Sequence, residues 1–220
     1  MANSRMIAED DKFSHEVITH TGSGKTVAAI YAIHLALKNG SKVIYTGSIK
    51  SLLNQKFKEF EELFPNKVEL LTADSVRNPQ SLILVMVTEI FNKMILEFNH
   101  TIENVSYIIY DEAHFMGDLK RGNIWEKSLI CCPKNINILL LSATIENSKE
   151  ITAWITTIKS KSCHLIKTKK RFVPLEFYVF SCDESLLYTV KDVNEKIYNA
   201  AFDKIQKEKS YGTSIKKKYF

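Results

Sequence analysis

Thr21-Gly22-Ser23-Gly24-Lys25-Thr26 is the stretch that decides the fold of this chain. Two closely spaced glycines let the backbone curl so that successive N–H groups face one point. The residues that follow, Thr26 to Leu37, carry Val27, Ile30, Ile33, Ala36 and Leu37 at helical spacing, and Asn39-Gly40 closes the run. A glycine loop entering a helix presents both free N–H groups and the positive end of the helix dipole, which together favour a phosphate. Lys25 can reach the β- and γ-phosphates of a nucleotide, and the Thr26 hydroxyl is placed to hold Mg²⁺. ATP and Mg²⁺ are therefore expected, with Thr21, Gly22, Ser23, Gly24, Lys25 and Thr26 as the binding set. The bland alternative is a glycine turn before a helix.

Outward from this loop, short β-rich runs alternate with helical stretches, the pattern of an α/β fold with a mostly parallel sheet and helices on both faces. His15 to Thr19 reads as a poor strand directly before the loop. Strands are expected at Lys42 to Thr46, Val68 to Leu71, Leu82 to Val87, Val105 to Tyr110, Ile136 to Leu141 and Leu175 to Phe180, with an edge strand at His164 to Lys167. Helices are expected at Ile49 to Phe64, Thr88 to Phe98, Ile124 to Ile130 and Asn147 to Ile158. From about Tyr188 the chain is lysine-rich with weak helical periodicity, and reads as a linker or tail.

Asp111-Glu112-Ala113-His114 follows the strand ending at Tyr110, and Ser142-Ala143-Thr144 follows the one ending at Leu141. In open α/β sheets ligands bind outside the carboxyl ends of the strands, so the three motifs converge on one crevice. Two adjacent carboxylates can divide the work: Asp111 holds Mg²⁺ and Glu112 orients or deprotonates an attacking water. Lys25, Asp111 and Glu112 are the catalytic candidates. Ser142 and Thr144 are candidates to bond to the acidic motif and relay nucleotide state.

Composition limits the partners. A chain of 220 residues with 45% hydrophobic content builds a sizeable core, and a net charge of +5 allows a polyanion without demanding one. No apolar run is long enough for a membrane span, and Met1 to Lys12 does not read as a secretory signal. Cys131, Cys132, Cys163 and Cys182 lack CxxC spacing, so reduced thiols are expected rather than a zinc site, although Cys163-His164 with Cys131-Cys132 would supply metal-ligating atoms.

The ordered trio of motifs resembles the first motor domain of superfamily 2 helicases. Tyr45-Thr46-Gly47-Ser48-Ile49-Lys50-Ser51-Leu52-Leu53-Asn54-Gln55-Lys56-Phe57 resembles motif Ia of the exosome-associated DExH RNA helicases, the nuclear exosome helicase and its cytoplasmic superkiller relative. Leu71-Thr72-Ala73-Asp74, Thr88-Glu89-Ile90, Arg121-Gly122 with Trp125-Glu126, and Pro174-Leu175 continue the likeness. Cys163-His164-Leu165-Ile166 and Pro174 to Phe180 lean towards the nuclear member. The resemblance implies a RecA-like P-loop NTPase domain over 15–182. It implies 3′-to-5′ unwinding of RNA driven by ATP, in exosome-linked processing or decay. RNA-backbone contacts fall by position on Ser48, Lys50, Thr72 and Thr88, and His114 becomes a coupler between motor domains. Implied partners are RNA, a second RecA-like domain and exosome-associated proteins, with no membrane; the implied compartment is nuclear, otherwise cytoplasmic.

The sequence also departs from that pattern. No glutamine precedes Gln55, so the adenine-recognition segment is missing upstream of the loop. His15 and Glu16 stand where the family has apolar residues, and Glu16 is expected to be exposed or paired, since an unpaired buried carboxylate costs on the order of several kcal/mol. Residues 1–14 read as a truncated N-terminal segment and 183–220 as linker and tail, with no Gln-x-x-Gly-Arg segment to supply arginine fingers. Such fingers are worth about 10³–10⁵ in turnover in related phosphoryl transfers. The expectation is a motor domain incomplete on its own; a non-catalytic RNA- or partner-binding remnant is the alternative.

Overall fold

A computed structural model describes residues 14–18, 24–72, 81–97, 100–143, 145, 147–168, 174–181, 186–194 and 196–199. Seven strands form one sheet: β1 (Ser14–Ile18), β2 (Lys42–Gly47), β3 (Val68–Leu71), β4 (Ile83–Val87), β5 (Val105–Tyr110), β6 (Asn137–Ser142) and β7 (Cys163–Lys167). Their order across the sheet is β3-β4-β2-β5-β6-β1-β7, and every neighbouring pair is parallel. The helices are α1 (Lys25–Lys38), α2 (Lys50–Leu63), α3 (Thr88–Leu96), α4 (Gly122–Cys131) and α5 (Ser148–Lys159). Two 3₁₀ turns, His100–Ile102 and Ala113–Gly117, were not anticipated from the sequence.

The right-handed crossover rule explains which helix covers which face. The connections β1-α1-β2 and β2-α2-β3 run one way along the sheet, and their helices share a core with Val43, Tyr45, Val85, Ile109 and Leu141. The connections through α3, α4 and α5 run the other way and pack on Ile44, Leu84, Met86, Ile108 and Leu140. Alternate residues of one strand thus enter opposite cores, which is why these strands read as continuous apolar runs. The expected mostly parallel sheet with helices on both faces is what the chain forms. Four alanines of α1 (Ala28, Ala29, Ala32, Ala36) are buried against the sheet, so that helix approaches it closely.

The chain divides into two compact units, Met1–Lys169 and Lys170–Phe220. In the second, β8 (Phe177–Ser181) pairs antiparallel with β9 (Leu186–Lys191). The weak helical reading from Tyr188 is therefore corrected to a strand. Tyr188-Thr189-Val190 is a β-branched and aromatic run, and cross-strand pairing with β8 outweighs the helical tendency of the lysines nearby. The side chains of β1, that of Glu16 among them, lie outside the described residues.

Gly122 opens α4 in close contact with the preceding turn. A Cβ there would stand 2.3 Å from the Met116 carbonyl oxygen, and the Gly122 N–H donates to the Asp118 carbonyl at 2.8 Å. Alanine at this position must push the Ala113–Gly117 turn away from α4. Gly122→Ala is expected to cost about 1–3 kcal/mol, read as a lower urea midpoint at unchanged slope.

Candidate active site

Parallel register sets the level of the site. Thr46 pairs with Tyr110, Tyr110 with Leu140, and Ser142 with Ile18, so the carboxyl ends of β2, β5, β6 and β1 finish together. The Asp111 N–H donates to the Thr46 carbonyl at 2.7 Å, extending the ladder one residue into the acidic motif. Both Asp111 carboxylate oxygens are then held. Oδ1 accepts from the Glu112 N–H at 2.9 Å, and Oδ2 accepts from the Tyr45 hydroxyl at 2.5 Å. Tyr45 is buried, its ring edge-on to Phe60 at 5.0 Å. Burial first, then the Asp111 charge and hydrogen bond, push the phenol well above its ordinary pKa, so it remains a donor.

Glu112 takes a left-handed backbone conformation, φ +53°, a costly state for a residue with a side chain. It turns the carboxylate towards α1. Glu112 Oε1 lies 3.3 Å from Lys25 Nζ, and Oε2 lies 3.2 Å from His114 Nδ1. The His114 ring stacks on Phe115 at 4.6 Å. Lys25 stands in the first turn of α1, after Gly24 at φ +91°, a conformation that favours glycine. Beside it, Thr26 Oγ1 accepts a hydrogen bond from Lys56 Nζ at 2.8 Å, and the same ammonium bonds Glu59 at 2.7 Å. Lys25, Thr26, Asp111, Glu112 and His114 thus sit around one crevice. Thr21, Gly22, Ser23 and Thr144 lie outside the described residues. Ser142 is buried at the end of β6.

The donor set suits a hard cation. The Thr26 hydroxyl in the first turn of α1 and the Asp111 carboxylate after β5 are oxygen ligands of the kind Mg²⁺ prefers, and no thiol or thioether is among them. Among the described residues no group of three or more His, Cys, Asp or Glu could hold a metal by protein ligands alone. Cys131 is exposed, Cys132 buried and Cys163 half-buried.

A second group of residues lies along the ends of β2, β3 and β4. Lys50 is exposed at the start of α2, and with Thr72 it lines a cavity of about 230 Å³ walled by Leu53, Val87 and Ile90. The Ser48 hydroxyl is buried with no hydrogen-bond partner among the described residues, while its carbonyl accepts from Arg121 Nη1 at 2.9 Å. Thr88 departs from its expected role. It is fully buried, receives the Thr46 hydroxyl at 3.0 Å, and donates to the Gly47 carbonyl at 3.3 Å. Its side chain braces the 46–48 turn from behind and offers no surface.

Tyr45, Lys56 and Glu59 were not singled out as site residues from the sequence. Tyr45 sits at a core position of an apolar strand, where a hydroxyl carries no visible signal. Lys56 did leave one: it falls on the core-facing stripe Leu53, Phe57, Phe60 of α2, an unusual place for an ammonium. Removing the Tyr45 hydroxyl strips Asp111 of one charge-assisted bond. Tyr45→Phe is expected to lower unfolding free energy by about 1.5–3 kcal/mol in urea denaturation at neutral pH. The loss should be much smaller in an Asp111→Asn background, as a double-mutant cycle would read.

Known proteins supply the remaining comparison. A family model described as DEAD/DEAH box helicase matches residues 3–151. DExH-box ATP-dependent RNA helicase DExH9 of Arabidopsis thaliana is 41% identical over 195 residues, covering 89% of this chain and 20% of that protein. Human Exosome RNA helicase MTR4 is 41% identical over 185 residues, covering 84% of this chain and 18% of its own length. Antiviral helicase SKI2 of Saccharomyces cerevisiae is 41% identical over 201 residues, covering 91% of this chain and 15% of its own. The chain therefore spans a fifth or less of these relatives, and equal identity to the last two does not separate them. Among solved structures, the Pyrococcus furiosus Hef helicase domain aligns with a TM-score of 0.59 at 22% identity, covering 77% of this chain and 38% of that one, a likeness of fold. The family match spans more than half of the chain and includes the whole Lys25–Glu112 crevice, and the chain belongs to the DEAD/DEAH box helicase family.

Proposed function

We propose that this domain binds Mg²⁺·ATP between the 21–26 loop and the acidic motif. It grips RNA backbone along Lys50 and Thr72, as the motor domain of an ATP-dependent 3′-to-5′ RNA helicase, with the buried Ser48 hydroxyl taking no part in that contact. The observation that carries the reading is the convergence of Lys25, Thr26, Asp111 and Glu112 at the carboxyl ends of parallel strands. In this reading the Lys25 ammonium leaves Glu112 for the β- and γ-phosphates, which frees the Glu112 carboxylate to orient water. Thr26 and Asp111 hold the metal, Asp111 kept in orientation by Tyr45 and its own turn. Bound Mg²⁺ supplies neutralisation of phosphate charge. His114 touches the same carboxylate, so a group that engages its ring from another domain would sense whether Glu112 is occupied.

Names of the relatives support the substrate class. Two of them are named RNA helicases, one an exosome RNA helicase, and we place this chain in exosome-linked RNA processing or decay. Fast turnover belongs to this domain together with a second RecA-like domain that brings arginine to the phosphates, and exosome-associated proteins are the expected company. The sequence likeness of Cys163 to Ile166 and Pro174 to Phe180 supports a nuclear compartment in this reading, otherwise a cytoplasmic one. No described helix is long and apolar enough to cross a membrane.

The test is titration calorimetry of ATP with Mg²⁺ on the chain and on Lys25→Ala. Lys25→Ala is expected to weaken binding by about tenfold or more, as loss of a charged phosphate contact does. Equal affinity for the two proteins would defeat the phosphate-loop reading. Tight RNA binding that ignores both ATP and Lys25→Ala would mark a non-catalytic binding module instead.

A further inference from the structure

Lys56 stands on the wrong face of its helix for a surface lysine. It lies on the apolar stripe of α2 with Leu53, Phe57 and Phe60, and only about a fifth of its side chain is exposed. Its ammonium crosses to another element, donating to Thr26 Oγ1 at 2.8 Å, while a second N–H donates to Glu59 Oε2 at 2.7 Å. The nearby hollow between Gly47, Lys56, Asp111 and Glu112 places the lysine at the rim of the acidic motif. We propose that Lys56 is a positioning residue of the nucleotide site: its ammonium occupies the Thr26 hydroxyl that a magnesium ion would take, and Glu59 is where that ammonium withdraws. This inference rests on the reading of Thr26 as a metal ligand.

The physical case is competition for one oxygen. A hydroxyl offers two lone pairs, and a metal at about 2.1 Å on one with an ammonium on the other would set three positive charges within a few ångströms. Lys56 must then let go. Glu59, one turn further along α2, already bonds the same nitrogen, so the ammonium can release Thr26 without losing its counter-charge. Lys25 is engaged in parallel with Glu112, so the site's key polar groups are satisfied internally by two lysines. A half-buried hydroxyl and a half-buried carboxylate are kept from standing unpaired, and the lysine bonds are surrendered only to a ligand that brings both phosphate and metal.

The experiment is ADP binding by calorimetry, with Mg²⁺ and in excess EDTA, on the chain, Lys56→Met and Glu59→Gln, with folding checked by urea midpoint. Methionine keeps an unbranched apolar stem in the α2 stripe. Expected is roughly fivefold or more tighter ADP binding with Mg²⁺ for Lys56→Met, and no change in EDTA. Glu59→Gln should weaken the Mg²⁺-dependent binding, because the displaced ammonium loses its partner. Should Lys56→Met not fold, Lys56→Gln carries the same expectation. Weaker ADP binding by Lys56→Met in both conditions would make the lysine a phosphate ligand and overturn the proposal, as would no change in either. A wild-type chain that binds ADP in neither condition would remove the nucleotide-site reading, and this inference with it.

Discussion

Everything at the site depends on the parallel register that brings β2, β5, β6 and β1 to a common level. Parallel strands require helical crossovers, and crossovers of one hand assign α1 and α2 to one face and the remaining helices to the other. The turns that follow β2, β5 and β6 are then set at one end of the sheet. The bond from the Asp111 N–H to the Thr46 carbonyl is the last rung of that ladder and the first contact of the site. A slip of one residue between β2 and β5 would send Tyr45 to the opposite core and leave Asp111 without its hydroxyl.

The strained turn is the other half of the arrangement. Glu112 sits at positive φ immediately after a rigid strand, and the chain returns through a 3₁₀ turn to Gly122, where no side chain fits against Met116. Strain of this kind persists only where neighbours over-determine it. Here the neighbours are the Asp111 carboxylate on the Glu112 N–H, the Lys25 and His114 contacts to the carboxylate, and α4 behind the turn. The pairing of Lys25 with Glu112 satisfies a half-buried carboxylate and a nearly buried ammonium that would each otherwise pay for desolvation.

Much of this was legible in the residues. Val68–Leu71 and Val105–Tyr110 were read with the bounds they have, because apolar runs between turn residues leave little latitude. The acidic motif was legible from its residues and from its place after an apolar strand, which the structure ends at Tyr110. Three things were hidden. Tyr45 looked like core because its hydroxyl finds a partner that lies far away in sequence. Thr88 was placed among the RNA contacts by the family resemblance, whereas the turn at 46–48 claims its hydroxyl. The strand Leu186–Lys191 was masked by the lysines at and beyond its C-terminal end, and its stability comes from a partner strand that periodicity does not register.

The segment from Tyr45 to Lys56 draws the two halves of the site together. Its inner positions, Tyr45 and Lys56, reach Asp111 and Thr26; its exposed position, Lys50, faces the side proposed for RNA. Between them the chain has little freedom. The strand is pinned on both edges, the Ser48 carbonyl is tied to Arg121, and α2 is packed through Leu53 and Phe60. A close-packed element of this kind moves as a body and not residue by residue. In that proposed reading, a phosphate drawn to the Lys50 ammonium would pull on the same helix that carries Lys56 to Thr26. The two ends share a backbone through the turn between β2 and α2, so the coupling required of the proposed motor would have a physical carrier in those two elements.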